Sequence, residues 1–305
     1  MEDESLSLTR KLQLKELEIL KVFQDICTRH NLRYFAIGGT CLGAVRHKGF
    51  IPWDDDVDFG MPYEDYVQFM KIAENELPEN YGLLTHMNSA HHDCHYFSKI
   101  YDKNTAFIEN GIESYHDRYC GVWVDIFPIH GAPKSRAAYN FITALCYLLK
   151  KLNNSLRFPF SDRLNIRNNI EKTLWIFASP LKLILPYYYF TQKEANLSGR
   201  YKFGCSDRVI FPFRAIKRNP HGWYPRVFYY SDFSRTIDFP FEDTVIPVPC
   251  GYDRYLSMEF NGDYMQLPPE EKRHSHHDED TIIDLERSYK YYIEHPEAMH
   301  SKRNA

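Results

Sequence analysis

The chain has 305 residues, 44% of them hydrophobic and 16% aromatic, with a formal net charge of −4. That length suits one large domain or two modest ones. The charge balance offers no concentrated basic face for nucleic acid, and seven scattered cysteines without a CxxC fit a reduced, cytoplasmic setting better than a disulfide framework.

The first residues, MEDESLSLTRK, carry no apolar run of the signal-peptide kind. Leu12, Lys15-Glu16, Leu17, Ile19-Leu20, Phe23 and Ile26 recur at helical spacing, which predicts an amphipathic helix over 7–30 with Asn31 as its terminator. A short buried strand is expected at 34–37, ended by Gly38-Gly39. Thr40 can cap a short helix over 41–47, which Gly49 and Pro52 stop. A second strand follows at 57–60, then a helix from Pro62 to about 75. Strands are expected at 81–85, 96–101 and 121–126, the last ended by Pro128.

From about 135 the texture changes. Helices are expected at 137–152 and 163–177. The stretch 174–190, LWIFASPLKLILPYYYF, is broken by Lys182, Pro180 and Pro186 and is shorter than the ~20 apolar residues a membrane span needs. With Lys172 and Lys182 beside apolar residues it could lie on a membrane surface, a peripheral contact at most. Helices packed on the core are the favoured arrangement. Strands at 235–239 and 244–248 with a turn near 241–243, a helix at 251–260, a polar His-rich segment at 261–280 and a final helix within 284–295 complete the chain. The alternation of strands and helices in the first 130 residues argues for an α/β or α+β core. The expected organisation is a catalytic core at 1–134, a helical insertion or lid at 135–200, and a region at 201–305 completing the core and the substrate site.

The chemistry concentrates in 34–59, YFAIGGTCLGAVRHKGFIPWDDDVDF. If 54–58 is extended, Asp54, Asp56 and Asp58 share a face and Asp55 points away. Three like charges on one face ask for a cation, and carboxylate oxygens suit Mg²⁺, with Mn²⁺ the other choice. A lone DxD could equally be a solvated acidic turn. The flanking Trp53 and Phe59 and the upstream Gly-Gly turn make a half-buried site the better reading. A glycine turn before a helix lets backbone N–H groups approach a phosphate. Ile37-Gly38-Gly39 followed by Asp56-Val57-Asp58-Phe59 is the pattern of the nucleotidyltransferase fold. Asp125, an acid inside the apolar GVWVDI strand, is the candidate third carboxylate.

Arg46 and Lys48 precede the aspartates and could contact phosphates, as could Lys99 from its strand. His91, His92, His95 and Cys94 have the residue types of a zinc site, but their spacing matches no closed set and a polar loop is expected. His276 and His277 could bind phosphate or acceptor.

GGTCLGAVRHKGFIPWDDDVDFGM resembles the signature of the LicD family, whose members transfer phosphocholine to cell-surface glycans. KIYDKNT, VDIFPI and VIPVPCGYDRYLSMEFNGDYMQLPPEEKRHSHH are similar to other family stretches. The WDDDVD core is also similar to that of fukutin-type ribitol-phosphate transferases. The resemblance implies that Asp54, Asp56 and Asp58 hold Mg²⁺, that Asp125 completes the site as metal ligand or base, and that Gly38, Gly39 and Thr40 sit against donor phosphates. It implies a CDP-linked donor, most simply CDP-choline, and a glycan acceptor such as lipopolysaccharide or teichoic acid, free or lipid-linked, with CMP released. NTP-dependent nucleotidyl transfer and a non-catalytic nucleotide- or glycan-binding module are the competing readings.

Overall fold

The computed structural model describes residues 6–89, 97–110, 115–157, 173, 176–186, 188–211, 216–219, 222–225, 227–260, 262–275 and 280–299. The Ser7 side chain accepts from the Arg10 N–H and opens helix α1 (Leu8–Arg29). Leu12, Glu16, Ile19, Leu20, Phe23 and Ile26 form its buried stripe. Asn31, at φ 51°, leaves the helix in the left-handed conformation that Asn tolerates.

Strand β1 (Phe35–Ala36) leads into α2 (Gly38–His47), then β2 (Asp58–Pro62), α3 (Tyr63–Glu76), β3 (Tyr81–Leu84), β4 (Ser98–Asp102), β5 (Ala106–Ile108) and β6 (Trp123–Gly131). Next come α4 (Arg136–Arg157), a 3-10 turn at Ser179–Leu183 and α5 (Tyr189–Ser198). The chain returns through β7 (Arg208–Ile210), β8 (Ile216–Asn219), β9 (Gly222–Pro225), β10 (Phe228–Tyr229) and the single turn α6 (Tyr230–Phe233). It ends with β11 (Thr236–Phe241), β12 (Thr244–Pro249), α7 (Tyr252–Glu259), β13 (Ile282–Asp284) and α8 (Tyr289–Glu294). The helix expected at 163–177 lies mostly outside the described residues.

The principal sheet runs β1-β2-β6-β4-β3, with β7 on the far end of β6 and β10 on β7. It is mixed: β2 and β6 are parallel, the other neighbours antiparallel. The fold is therefore α+β, one of the two classes argued from the sequence. Phe59 of β2 meets Phe23 of α1 at 5.1 Å between ring centroids, and Phe23 meets Phe69 of α3 at the same separation. Helices α1 and α3 thus cover one face of the sheet. Alternation sends Asp58 and its register partner Asp125 to the other face.

Three expectations need correction. Pro128 does not end its strand, because β6 continues to Gly131. Its missing N–H costs no ladder bond to β4 or β7: pairing with β4 stops at Ile126 and pairing with β7 starts at His130. Thr40 does not cap α2. That helix starts at Gly38, with Ile37 at the cap, and Gly38 takes φ 56° where a side chain would strain. The aspartate run is not all strand, since β2 begins only at Asp58.

The six described cysteines are free thiols. No helix among the described residues is long and apolar enough to cross a membrane.

Candidate active site

Residues 51–57 form a loop propped from below by α1. Gln13 Nε2 donates to the carbonyls of Ile51 (3.2 Å) and Asp54 (2.8 Å). A second prop comes from the β11–β12 turn. Glu242, at φ 54°, accepts from the Phe50 N–H (3.1 Å) and pairs with Arg10 (2.6 Å), and its own N–H donates to the Lys48 carbonyl. At the end of the loop the Asp58 N–H donates to Thr40 Oγ1 at 2.8 Å, fastening β2 to α2.

These props leave a cavity of about 850 Å³ with Gly39, Asp54, Asp56 and Asp58 on its wall. Asp55 is absent from that lining and accepts from Ser275 Oγ at 2.5 Å instead. The alternation read from DDDVD therefore survives although only its last residues join a ladder. Asp125 stands beside Asp58 in register, and Lys99 beside Asp125 on β4. Neither is in the cavity lining, and Lys99 Nζ lies 3.6 Å from the centroid of the Trp123 ring.

Two cradle candidates are engaged elsewhere. The Gly38 N–H donates to the Tyr255 hydroxyl of α7 at 2.9 Å, and Thr40 holds Asp58. Gly39 is the cradle candidate that lies on the cavity wall. Arg46 is also on that wall, its Nη1 donating to the Tyr264 carbonyl at 2.8 Å. Lys48 is exposed, ends α2 at φ 60° and contributes its carbonyl to Glu242. His276 and His277 lie outside the described residues, as do His91, His92, Cys94 and His95.

Sequence reasoning missed three participants. Lys272 and Arg273 line the cavity, and the Arg273 guanidinium sits 5.6 Å from the Trp53 ring centroid. A charged PEEKR run looks like a solvated turn until the chain folds back across 200 residues. Glu16 is the third. It is only 2% exposed, and its Oε2 has no hydrogen-bond partner among the described residues. An acid in the apolar stripe of α1 was its signal.

The electrostatics are those of carboxylates crowded away from water. Burial, then repulsion from Asp56 and Asp55, pushes Asp54 up to about 8, with Arg46 opposing. Burial pushes Glu16 well above the carboxylate range, and Asp56, Asp55, Asp54 and Asp125 add to it. Burial and the nearby Arg273 lower the pKa of Arg46. Among the described residues no three His, Cys, Asp or Glu side chains form a ready-made metal cage. The set is all oxygen and carries excess negative charge, which is chemically suited to a hard divalent cation.

Gly39 is where the acids come nearest the helix. A Cβ there would stand 2.3 Å from Asp54 Oδ2 and 3.6 Å from Asp56 Oδ1. Gly39→Ala is expected to push the Asp54 carboxylate aside while helping α2 by up to ~1 kcal/mol of helix propensity. The melting temperature should hold or rise as turnover falls about tenfold or more. Thermal melts beside turnover assays check this, and equal turnover would remove Gly39 from the site.

Residues 31–141 match the family described as LicD/FKTN/FKRP, nucleotidyltransferase domain. The chain is 29% identical over 280 residues to the lipopolysaccharide cholinephosphotransferase LicD of Haemophilus influenzae, covering 90% of this chain and 97% of that protein. A shorter match, 56% identical over 34 residues, is to the human ribitol 5-phosphate transferase FKRP, covering 11% of this chain and 7% of that one. Residues 31–141, which hold the Gly-Gly turn, the alternating aspartates and Asp125, are thus similar to the nucleotidyltransferase domain of the LicD/FKTN/FKRP family.

Proposed function

We propose that this phosphotransferase moves phosphocholine from CDP-choline to a hydroxyl of a cell-surface glycan, with Mg²⁺ or Mn²⁺ bound and CMP released. The observation that carries the reading is the division of charge in one cavity, with Asp54, Asp56 and Asp58 sharing it with Arg46, Lys272 and Arg273. A diphosphate donor bound with a divalent cation would call for that division: carboxylate oxygens to hold the cation, basic side chains for the remaining phosphate charge. The cavity volume lies in the range of small-ligand sites. Trp53, Phe260 and Tyr264 add aromatic faces, and Glu259 and Asp263 further carboxylates, which suit a quaternary ammonium head.

Asp54, Asp56 and Asp58 would hold the cation, with Asp125 beside them. When bound, the cation supplies charge neutralisation at the donor diphosphate. The rest of the work falls to this chain. Arg46, Lys272 and Arg273 bind and orient the donor. A carboxylate, Asp125 or a member of the cluster, takes the proton of the acceptor hydroxyl as its oxygen bonds to the choline-bearing phosphorus. The bond from that phosphorus to the CMP oxygen breaks, and CMP leaves with the bonding pair.

Purified protein with Mg²⁺ and a glycan acceptor should release CMP from CDP-choline in preference to CDP-ribitol, CDP-glycerol and CDP-ethanolamine. Pyrophosphate release from an NTP, or no turnover of any CDP-alcohol, would overturn the reading. Arg273→Ala should lower kcat/KM for the donor about 10–100-fold, the worth of one charge-assisted phosphate contact. Steady-state kinetics at saturating acceptor measure it, and an unchanged kcat/KM for the donor would place Arg273 off the donor.

A further inference from the structure

We infer that helix α4 and the 3-10 turn Ser179–Leu183, with the exposed apolar side chains beside that turn, dock in the plane of an anionic phospholipid surface. Helix α4 has two faces. Tyr139, Ile142, Thr143 and Cys146 are buried, with Cys146 Sγ 3.3 Å from Ser198 Oγ of α5. On the other side Ala137, Phe141, Ala144 and Leu148 are exposed at spacings of three and four, an apolar stripe turned outward. Phe141 is 68% exposed.

The 3-10 turn Ser179–Leu183 packs against α4, and it and its neighbours repeat the pattern. Ile176, Phe177, Leu183 and Ile184 are 57%, 78%, 83% and 76% exposed. The expectation that 174–190 packs on the core is therefore corrected at these side chains, which point to solvent. Scattered apolar residues on a surface are ordinary; six large ones on α4, on the turn packed against it and on the residues flanking that turn are not.

Charge selects the occupant. Segment 135–200 holds ten Lys and Arg against three Asp and Glu, a net +7 in a chain of −4, so the remainder carries −11. Helix α4 has no acid at all, and Lys151 Nζ lies 5.3 Å from the Tyr147 ring centroid. Two copies meeting through this segment would oppose like charge. An anionic bilayer offers attraction to the lysines and arginines and a greasy boundary to Phe141, Phe177, Leu183 and Ile184. No described helix is built to cross, so the contact lies in the interface.

The test is vesicle flotation of the full chain without donor, so it is independent of the reaction. Vesicles of phosphatidylcholine with roughly 30% phosphatidylglycerol are compared with phosphatidylcholine alone. The chain should float with the anionic vesicles, and binding should weaken as salt rises from about 0.1 to 0.5 M. The double variants Phe141→Ser/Leu148→Ser and Phe177→Ser/Ile184→Ser, checked for folding by circular dichroism, should each lose at least about tenfold in partition. No flotation of the parent chain, equal binding to both vesicles, or variants that bind like the parent would overturn the proposal. So would a parent dimer in sedimentation that these variants dissolve, which would mark the surface as self-association.

Discussion

Asp58→Asn is expected to lower kcat by about 10³-fold or more while leaving the fold intact. The loss should be large because Asp58 sits on the cavity wall and in register with Asp125, where an amide can neither carry the charge a cation needs nor replace a carboxylate oxygen. The fold should survive because the bond that positions this residue, from its backbone N–H to Thr40, remains. Asp56→Asn should behave alike. Asp55→Asn is the control: its carboxylate leaves the cavity for Ser275, so its turnover should stay within about tenfold of the parent. Turnover of CDP-choline and thermal melts for the three variants decide it. A series in which Asp55 matters as much as Asp58 would break the facial assignment.

Glu16→Gln is expected to stabilise the protein in the absence of divalent ions near pH 7.5, by an amount that grows as pH rises. The folded chain holds the Glu16 proton to a higher pH than the unfolded chain does, because burial comes first and four aspartates add to it. Stability from this group is therefore complete below the ordinary carboxylate pKa and drains as pH rises above it. Glutamine does not titrate, so the gain should vanish near pH 4 and grow toward pH 8. Saturating Mg²⁺ should shrink the gain, since a cation beside the aspartates offsets their repulsion. Denaturant melts across pH with EDTA or Mg²⁺ measure this. A gain independent of pH would show that packing, not ionisation, sets the effect.

The placement of Asp54, Asp56 and Asp58 on one wall was legible because its logic is local. Alternation alone separates Asp55 from its neighbours, and an acid inside GVWVDI marks Asp125 before any strand is paired. The capping of α2 was misjudged because Thr40 Oγ1 finds a better partner across the fold, in Asp58, than along its own chain. Gly38 gives its N–H to Tyr255, Arg46 donates to Tyr264, and Arg273 arrives from beyond both. Such partners are more than 200 residues apart, and no periodicity or turn signal records them. Glu16 was visible in the helical stripe, yet the acidic loop above it appears only once α1 lies against the sheet.

The loop of aspartates is held from a distance by Arg10 with Glu242, Gly38 with Tyr255, Arg46 with Tyr264 and Asp55 with Ser275. Glu242, Tyr255, Tyr264 and Ser275 all follow β6 in the chain, so a product ending after β6 would retain the Gln13 and Thr40 props but lack these four. A truncation series ending before 242, 255, 264 and 275 would therefore remove the distant holds one at a time.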